Sequence, residues 1–395
     1  MQYFKIDPIH PDPKIVRQAV DIVRKGGVLV YPTDTLYGLG VDIYNEQALN
    51  RLFLLKGRDS TAPFSLLIKD FEQIEMFSGV LPVEQYHHLS ELLPGKITVL
   101  LQKKFDYSLP FFRHYDKLNR PLKKIGFRLP DHPVCHALSE QLEWPITSTS
   151  ANLSGKENVK SIKEVVAYFG NKLDAILDAG PIAESAGSTI IDMTKSPYLV
   201  FREGAVLIDA LNEKLPEVGF KKRKSRFTVT FVCSGNICRS PMAEAILKAH
   251  IEKTKYKDVM QIQSAGTLGI DDRLADTNAI EVSKENGLDI SQHFSKGVQK
   301  KLMEESDIVF CMALNHYNYL RANYPLKREK IVLLKSWKRD IQVSNVSIAD
   351  PIGQDKKFFR QSFTDIKIEI KRILPFLFSQ IRDFMEYNDI EIQDD

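Results

Sequence analysis

"FTVTFVCSGNICRSPMAEAILKAH", residues 227–250, decides the fold of the second half of the chain. Its first six residues are apolar and β-branched and read as a buried strand. From Pro241 onward the apolar residues recur with helical spacing. Between these elements lie Cys233 and Arg239, in a C-x5-R arrangement. Gly235 and Asn236 are the residues there most tolerant of positive φ. Ser240 reads as a helix N-cap, and Pro241 suits a first helical turn. Such a strand-loop-helix turns its backbone N–H groups inward and aims a helix N-terminus at the same point, which makes an anion site. A thiol at its base is a candidate nucleophile. Arg239 can grip two oxygens of one anion with its fork, which Lys does less well. A strand-end Cys by itself is ordinarily a small buried residue. The spacing, the Arg and the Ser-Pro helix start reverse that reading.

Working outward, "MQIQSAG" (260–266), "DIVFCM" (307–312) and "KIVLL" (330–334) read as further strands. "LADTNAIEVSKENG" (274–287) and residues 356–387 read as helices, the latter interrupted at Pro375. Strands alternating with helices predict parallel βαβ units and a doubly wound, Rossmann-like sheet. In the first half, "GGVLVYPTDTLYGLG" from Gly26 is a strand signal, followed by helix-like "NEQALNRLFLLKGR". "FSLLI", "ITVLL", "IGFRLP", "WPITSTSAN", "DAILDAG" and "STIIDM" are further strand-like runs. This half is expected to be a twisted, open α/β sheet ending near Asp209. The expected boundaries are a first domain over 1–209, a linker over 210–226 and a second domain over 227–395. The linker holds Lys221, Lys222, Arg223, Lys224 and Arg226, a cluster that reads first as a solvated connection. A transient tRNA contact is the sharper reading.

Two domains also follow from 395 residues, too many for one ordinary core. A net charge of +3 does not by itself indicate nucleic acid. Four cysteines do not suggest a disulfide framework. Two in one loop read as reduced thiols of a cytoplasmic enzyme. The N-terminal stretch has no apolar segment like that of a signal peptide. No apolar run reaches the ~18 residues of a membrane span, so no membrane partner is expected.

The C-terminal pattern resembles the low-molecular-weight protein tyrosine phosphatases over about residues 227–385. "VCSGNICRSPMAEA", "SAGT" (264–267), "ENGLDISQHFSKGV" (285–298), "MALNHYNYLRANYP" (312–325) and "ADP" (349–351) carry the resemblance. It implies that Cys233 attacks phosphorus and forms a phosphocysteine, while Arg239 holds the phosphoryl oxygens. Asp350 is implied to protonate the leaving oxygen and then activate water. Ser234, Gly235, Asn236, Ile237, Cys238 and Ser240 make up the supporting loop, with Ser240 bonding to the sulfur. Asn236, Ser264 and His293 match positions that brace it. A phosphorylated protein is the implied substrate. Ile237 leans toward phosphotyrosine, whereas related protein arginine phosphatases often have Thr there. "DPIGQD" and "TLGIDD" lack the aromatics common in tyrosine phosphatases. A disulfide between Cys233 and Cys238 under oxidation is a further expectation.

The N-terminal half resembles the Sua5/YrdC/YciO family of threonylcarbamoyl-AMP synthases over about residues 10–208. "YPTDTLYGLG", "KGR", "LPGKIT", "GFRLPDHP", "STSANLSG", "STIIDM" and "FREGAV" occur in the family's order. The resemblance implies synthesis of L-threonylcarbamoyladenylate from L-threonine, bicarbonate and ATP, for N6-threonylcarbamoyladenosine (t6A) at position 37 of tRNA. Lys56 and Arg58 are implied to bind ATP phosphates, with Mg2+ accompanying ATP and no tightly bound cofactor. Ser148, Ser150, Asn152, Ser188 and Arg202 are implied nucleotide contacts. Thr35 and Arg128 are implied to fix threonine. Leu67 stands where many members carry a His. No protein ligands to a metal are identifiable. Double-stranded RNA or tRNA and other t6A-pathway proteins are further partners on this reading. The alternatives are a nucleotide- or RNA-binding module without synthesis in the first half, and an arginine phosphatase in the second.

Overall fold

A computed structural model describes residues 1–57, 63–118, 121–153, 158–159, 161–183, 185–339 and 345–392. The chain folds as two compact units, Met1–Arg223 and Lys224–Asp395.

The first unit holds strands β1 (Gln2–Lys5), β2 (Leu29–Tyr31), β3 (Gly38–Gly40), β4 (Ser65–Leu67), β5 (Ile97–Gln102) and β6 (Lys124–Arg128). They are followed by β7 (Ile146–Ser150), β8 (Ala175–Asp178), β9 (Thr189–Asp192), β10 (Tyr198–Arg202) and β11 (Phe220–Lys222). Among the described residues they form one mixed sheet, ordered β1-β8-β2-β3-β7-β4-β6-β5-β9-β10-β11. Helices α1 (Pro13–Arg24), α2 (Glu46–Lys56), α3 (Phe71–Ser78), α4 (Val83–Leu92), α5 (Pro110–Lys117), α6 (Pro133–Gln141), α7 (Ile162–Phe169) and α8 (Ile208–Lys214) connect them. One buried cluster gathers Leu39, Leu52, Phe64, Val99, Phe127 and Ile191. A second joins α1 and α6 through Val16, Val20, Val134 and Leu138. The two clusters show why both apolar helix stripes and strand runs are needed: the sheet is buried by helices.

In the second unit β12 (Phe227–Cys233), β13 (Met260–Gly266), β14 (Ile308–Cys311) and β15 (Ile331–Leu333) are all parallel, in the order β13-β12-β14-β15. The helices are α9 (Arg239–Ile251), α10 (Thr277–Glu285), α11 (Lys300–Glu305), α12 (Leu314–Asn323) and α13 (Lys356–Tyr387). Strand β12 is buried throughout, as expected of a central parallel strand. The chain leaves β12 for β13 on one side and later returns to β14 on the other. The crevice beyond the C-terminal end of β12 is therefore a topological switch point, where such sheets bind ligands. Cys233 is the last residue of that strand.

Three local expectations change. Residues 210–226 are not a bare connection. Helix α8 buries Leu211, and β11 runs parallel to β10 with Phe220 buried. The Lys and Arg residues hid the spacing of Leu211, Leu215 and Phe220, which anchor the stretch to the sheet. The basic cluster is also partly neutralised: Lys222 lies 3.3 Å from Glu203, and Lys224 lies 2.7 Å from Asp307. Helix α13 runs through Pro375 without ending. Its apolar residues at 359, 363, 366, 370, 373, 377 and 381 keep one buried stripe, while Pro375 lies on the exposed side. Water can satisfy the carbonyl that the proline leaves unpaired there.

Candidate active sites

In the second unit, Asn236 holds the phosphate-type loop in shape. Its φ of +56° gives the left-handed turn that Asn adopts at lower cost than bulkier residues. Its backbone N–H donates to Cys233 Sγ at 3.3 Å. Its side-chain amide donates to Ser240 Oγ at 2.9 Å and to Ser264 Oγ at 2.8 Å, and its Oδ1 accepts from the Lys296 N–H at 3.0 Å. Ser264 donates onward to Glu244 Oε2 at 2.6 Å. His293 Nε2 meets the Asn236 carbonyl at 2.8 Å, closing the brace from outside. Gly266, opposite Cys233 in register, is there because a Cβ would stand 2.6 Å from the Ser234 carbonyl oxygen.

Ser240 Oγ lies 3.0 Å from Cys233 Sγ, and both residues are buried. The hydroxyl is therefore spent on the sulfur and on Asn236. Helix α9 begins at Arg239 with Cys238 in the cap position and no side-chain cap, which corrects the reading of Ser240 as N-cap. Pro241 does fall in the first turn. Cys238 is buried, and burial holds its thiol well above the ordinary range, which disfavours its thiolate. Gly235 and Ile237 are half-buried in the loop, where the Ile237 carbonyl accepts from the Asp276 N–H at 2.8 Å.

Arg239 is buried, with Nη1 donating to the Ile348 carbonyl at 3.1 Å and Nη2 paired with the Asp350 carboxylate. Asp350 stands on an exposed loop, its side chain 38% accessible. The structure thus brings the nucleophile candidate, the guanidinium and the acid candidate to one crevice. It also adds His316, which the sequence reading did not single out. This residue of α12 is fully buried, with Nε2 2.9 Å from Ser234 Oγ. Burial, aided by Arg239, pushes its basicity down to about 4, so it is neutral near pH 7. Glu244 was also missed, although its i+4 spacing from Ser240 places it on the same helix face.

In the first unit, a cavity of about 130 Å3 opens where strand ends converge. The turn between β2 and β3 supplies Thr33 and Thr35, β6 supplies Arg128, and β7 supplies Ser148 and Ser150. Ser188, just before β9, and Arg202, at the end of β10, close it. Thr33 Oγ1 accepts the backbone N–H groups of Thr35 and Leu36 at 3.1 Å each, so this turn is fixed by its own hydroxyl. Ser148 Oγ accepts from Tyr31 Oη at 3.0 Å. Ser188 Oγ lies 2.8 Å from Thr98 Oγ1, and its carbonyl accepts from Arg202 at 2.7 Å.

Three expected ligand residues have partners within the protein. Lys56 does not line the cavity and is almost fully buried. Its ammonium donates to the carbonyls of Ser150 at 2.7 Å and Asn152 at 2.6 Å, and to Asn152 Oδ1 at 3.2 Å. These bonds tie Lys56 to the Ser150–Asn152 turn. A helix-end lysine reads as an exposed cation, but packing against β7 turns this one inward. Asn152 is likewise off the cavity wall, and its Oδ1 accepts from Ser150 Oγ at 2.6 Å. Arg128 faces the cavity but is paired with Asp34 and donates to Thr35 Oγ1 at 3.3 Å. Its charge is thus already matched by an internal carboxylate. Arg58, the second cation of "KGR", lies outside the described residues. No group of three or more His, Cys, Asp or Glu suited to a metal occurs among the described residues. Nor is any described helix long and apolar enough to cross a membrane.

Comparison with known proteins agrees with this division. Residues 21–204 match a family model described as "Telomere recombination" (Sua5, YciO and YrdC), and residues 228–383 match one described as "Low molecular weight phosphotyrosine protein phosphatase". A threonylcarbamoyl-AMP synthase of Pyrococcus abyssi is 31% identical over 203 residues, covering 51% of this chain and 58% of its own length. An uncharacterised protein YciO of Escherichia coli is 33% identical over 204 residues, covering 51% of this chain and 95% of its own length. The crystal structure of P. abyssi Sua5 complexed with L-threonine shares the fold, with a TM-score of 0.50 and 21% identity over 84% of this chain and 99% of that one. The chain spans little more than half the length of the archaeal synthase. It belongs to the Sua5/YrdC/YciO family through its N-terminal half and carries a low-molecular-weight phosphotyrosine phosphatase domain in its C-terminal half.

Proposed function

We propose that the second unit is a cysteine-dependent phosphatase acting on phosphotyrosine proteins through a phosphocysteine. The observation that carries this reading is the convergence of Cys233, Arg239 and Asp350 on one crevice at the end of β12. The Cys233 sulfur attacks phosphorus while the bond to the leaving oxygen breaks. Asp350, released from Arg239 and protonated from solvent or by the water-activating step of the preceding turnover, gives that oxygen its proton. Arg239 and the loop N–H groups hold the equatorial oxygens as charge builds. A water, deprotonated by Asp350, then attacks phosphorus. The S–P bond breaks, inorganic phosphate departs, and Ser240 stabilises the returning sulfur anion. Turnover of a phosphotyrosine peptide and of phosphoarginine, with Cys233→Ser as blank, tests the assignment. Full activity in Cys233→Ser would overturn the mechanism, and a preference for phosphoarginine would overturn the substrate.

For the first unit we infer synthesis of L-threonylcarbamoyladenylate from L-threonine, bicarbonate and ATP, feeding tRNA modification. Family membership and the hydroxyl-rich cavity with Thr35, Arg128, Ser148, Ser150, Ser188 and Arg202 support it. Mg2+ would arrive on the ATP phosphates. This unit offers positioning and charge neutralisation, with no protein nucleophile in the scheme. Pyrophosphate release that requires threonine is the expected result. A nucleotide- or RNA-binding module without synthesis is the second reading, favoured by the pairing of Arg128, the implied threonine contact, with Asp34. ATP binding with no threonine-dependent release would establish it instead.

A further inference from the structure

Ser234, beside the nucleophile, lies between two nitrogen groups. His316 Nε2 is 2.9 Å from its Oγ, and Arg239 Nη2 donates to the same oxygen at 3.4 Å. His316 itself is fully buried, and its other ring nitrogen, Nδ1, has no hydrogen-bond partner. A neutral imidazole carries one N–H and one bare lone pair. If Nδ1 held the hydrogen, a buried N–H would be stripped of any acceptor, the rarer kind of orphan in folded proteins. If Nε2 holds it, the orphan is a lone pair, and the N–H is satisfied by Ser234.

We infer that His316 is a positioning residue: as the Nε2–H tautomer it donates to Ser234 Oγ and turns the serine hydroxyl hydrogen into the phosphate cradle. A serine oxygen accepts two hydrogen bonds and donates one. With Arg239 and His316 filling both acceptor positions, the remaining O–H serves as a donor. Among the described residues it has no other acceptor. The transferring phosphoryl group is the acceptor it awaits. Ser234 then acts as a side-chain donor to that group, beside the backbone N–H groups of the loop. His316 touches no substrate and acts only through this serine. It is set at the start of α12, 82 residues beyond Ser234, and the parallel packing of β14 against β12 brings the two together.

This inference rests on the phosphatase reading, but its first test does not. The full chain labelled with 15N-histidine, with the His316 signals identified by their loss in His316→Gln, reports the tautomer from the two ring-nitrogen shifts. The expected pattern is a protonated Nε2 and a bare Nδ1; the reverse pattern overturns the proposal. The second test is a double-mutant cycle on inorganic phosphate binding, measured by calorimetry with no turnover required. Ser234→Ala and His316→Leu are each expected to weaken binding about tenfold, the worth of one hydrogen bond to a charged group. The double variant is expected to lose no more than either single. A hundredfold loss in the double variant, or an unchanged affinity in Ser234→Ala, overturns the proposal. His316→Gln, which restores an N–H donor, is expected to recover part of the His316→Leu loss. If phosphate binds as expected but Cys233→Ser retains turnover, the phosphatase mechanism fails while the tautomer assignment stands.

Discussion

Replacing Asn236 by Ala removes the residue on which the phosphate loop is built. Three side-chain hydrogen bonds disappear, to Ser240, Ser264 and the Lys296 N–H. At roughly 1 kcal/mol net for each bond, that costs about 3 kcal/mol. Ser264 keeps Glu244, and Ser240 keeps Cys233, so neither hydroxyl is stranded. The backbone adds to the loss, because φ at this position is +56° and an alanine there costs about 1 kcal/mol. The expected destabilisation of the second unit is therefore about 3–4 kcal/mol. Of the two tryptophans, Trp337 is buried in the core of this unit, so urea unfolding followed by its fluorescence reads the change. A Trp144→Phe background removes the signal of the first unit. Asn236→Gly removes the same side-chain bonds but relieves the backbone, so it should be roughly 1 kcal/mol more stable than the Ala variant. A total loss below about 1 kcal/mol in Asn236→Ala would refute the hydrogen-bond argument. Equal stability of the Gly and Ala variants would refute the backbone argument.

Asp350→Asn keeps the loop but cannot give up a proton, so kcat on a phosphate ester with a poor leaving group should fall about 10²–10⁴-fold. A good leaving group should be affected far less, and an equal loss on both would remove Asp350 as the acid. His316 is held near 4 in the folded chain against 6.5 in the unfolded one. Between these values the unfolded chain takes up a proton that the fold refuses, so stability is full above pH 6.5 and declines as pH falls toward 4. That window is worth about 3 kcal/mol. Urea titrations of His316→Gln should therefore show a flatter decline than the parent, and parallel curves would count against it. Lys56→Met leaves the carbonyls of Ser150 and Asn152 without their cation and should destabilise the first unit by about 1–3 kcal/mol, read by Trp144 fluorescence. Asp34→Asn takes the countercharge from buried Arg128, and a loss of about 3 kcal/mol is expected. A neutral outcome would show that the pair contributes nothing to the fold.

How much of this was readable depended on whether a feature was contiguous. The C-x5-R loop carries its own geometry in neighbouring residues, so the strand, turn and following helix, and with them the candidate nucleophile and anion cradle, were legible in 24 letters of sequence, 227–250. Asp350 was readable only in company with that loop. His316 was not readable, because nothing in local spacing ties it to Ser234. Only the sheet order places β14 beside β12 and so sets α12 against the loop. Lys56 shows the converse limit. Its position at a helix end was legible, but the direction of its side chain is set by packing against β7, which no periodicity records. The basic stretch at 221–226 misled for a compositional reason, since charge is more conspicuous than the three apolar anchors that precede it.

The two sites treat a buried arginine in different ways, and the difference bears on what each can bind. A guanidinium taken out of water needs a matching anion or several oxygen acceptors. Arg239 and Arg128 are both buried, and each has a carboxylate partner, Asp350 and Asp34. Asp350 is 38% exposed on a loop, whereas the Asp34 side chain is 5% exposed. Asp34 also accepts the Asp131 N–H at 3.0 Å, a bond that would have to break if it moved. Asp350 can therefore exchange its place for a phosphoryl group and be rehydrated, or be used on the leaving oxygen. Asp34 has no such exit. On the proposed mechanism Arg239 is in this sense an exchangeable anion receptor whose resting partner is the candidate acid. Arg128 is a fixed pair that orients Thr35 and the strand ends around it, and a substrate carboxylate at that cavity would have to be held beside the pair instead of replacing Asp34.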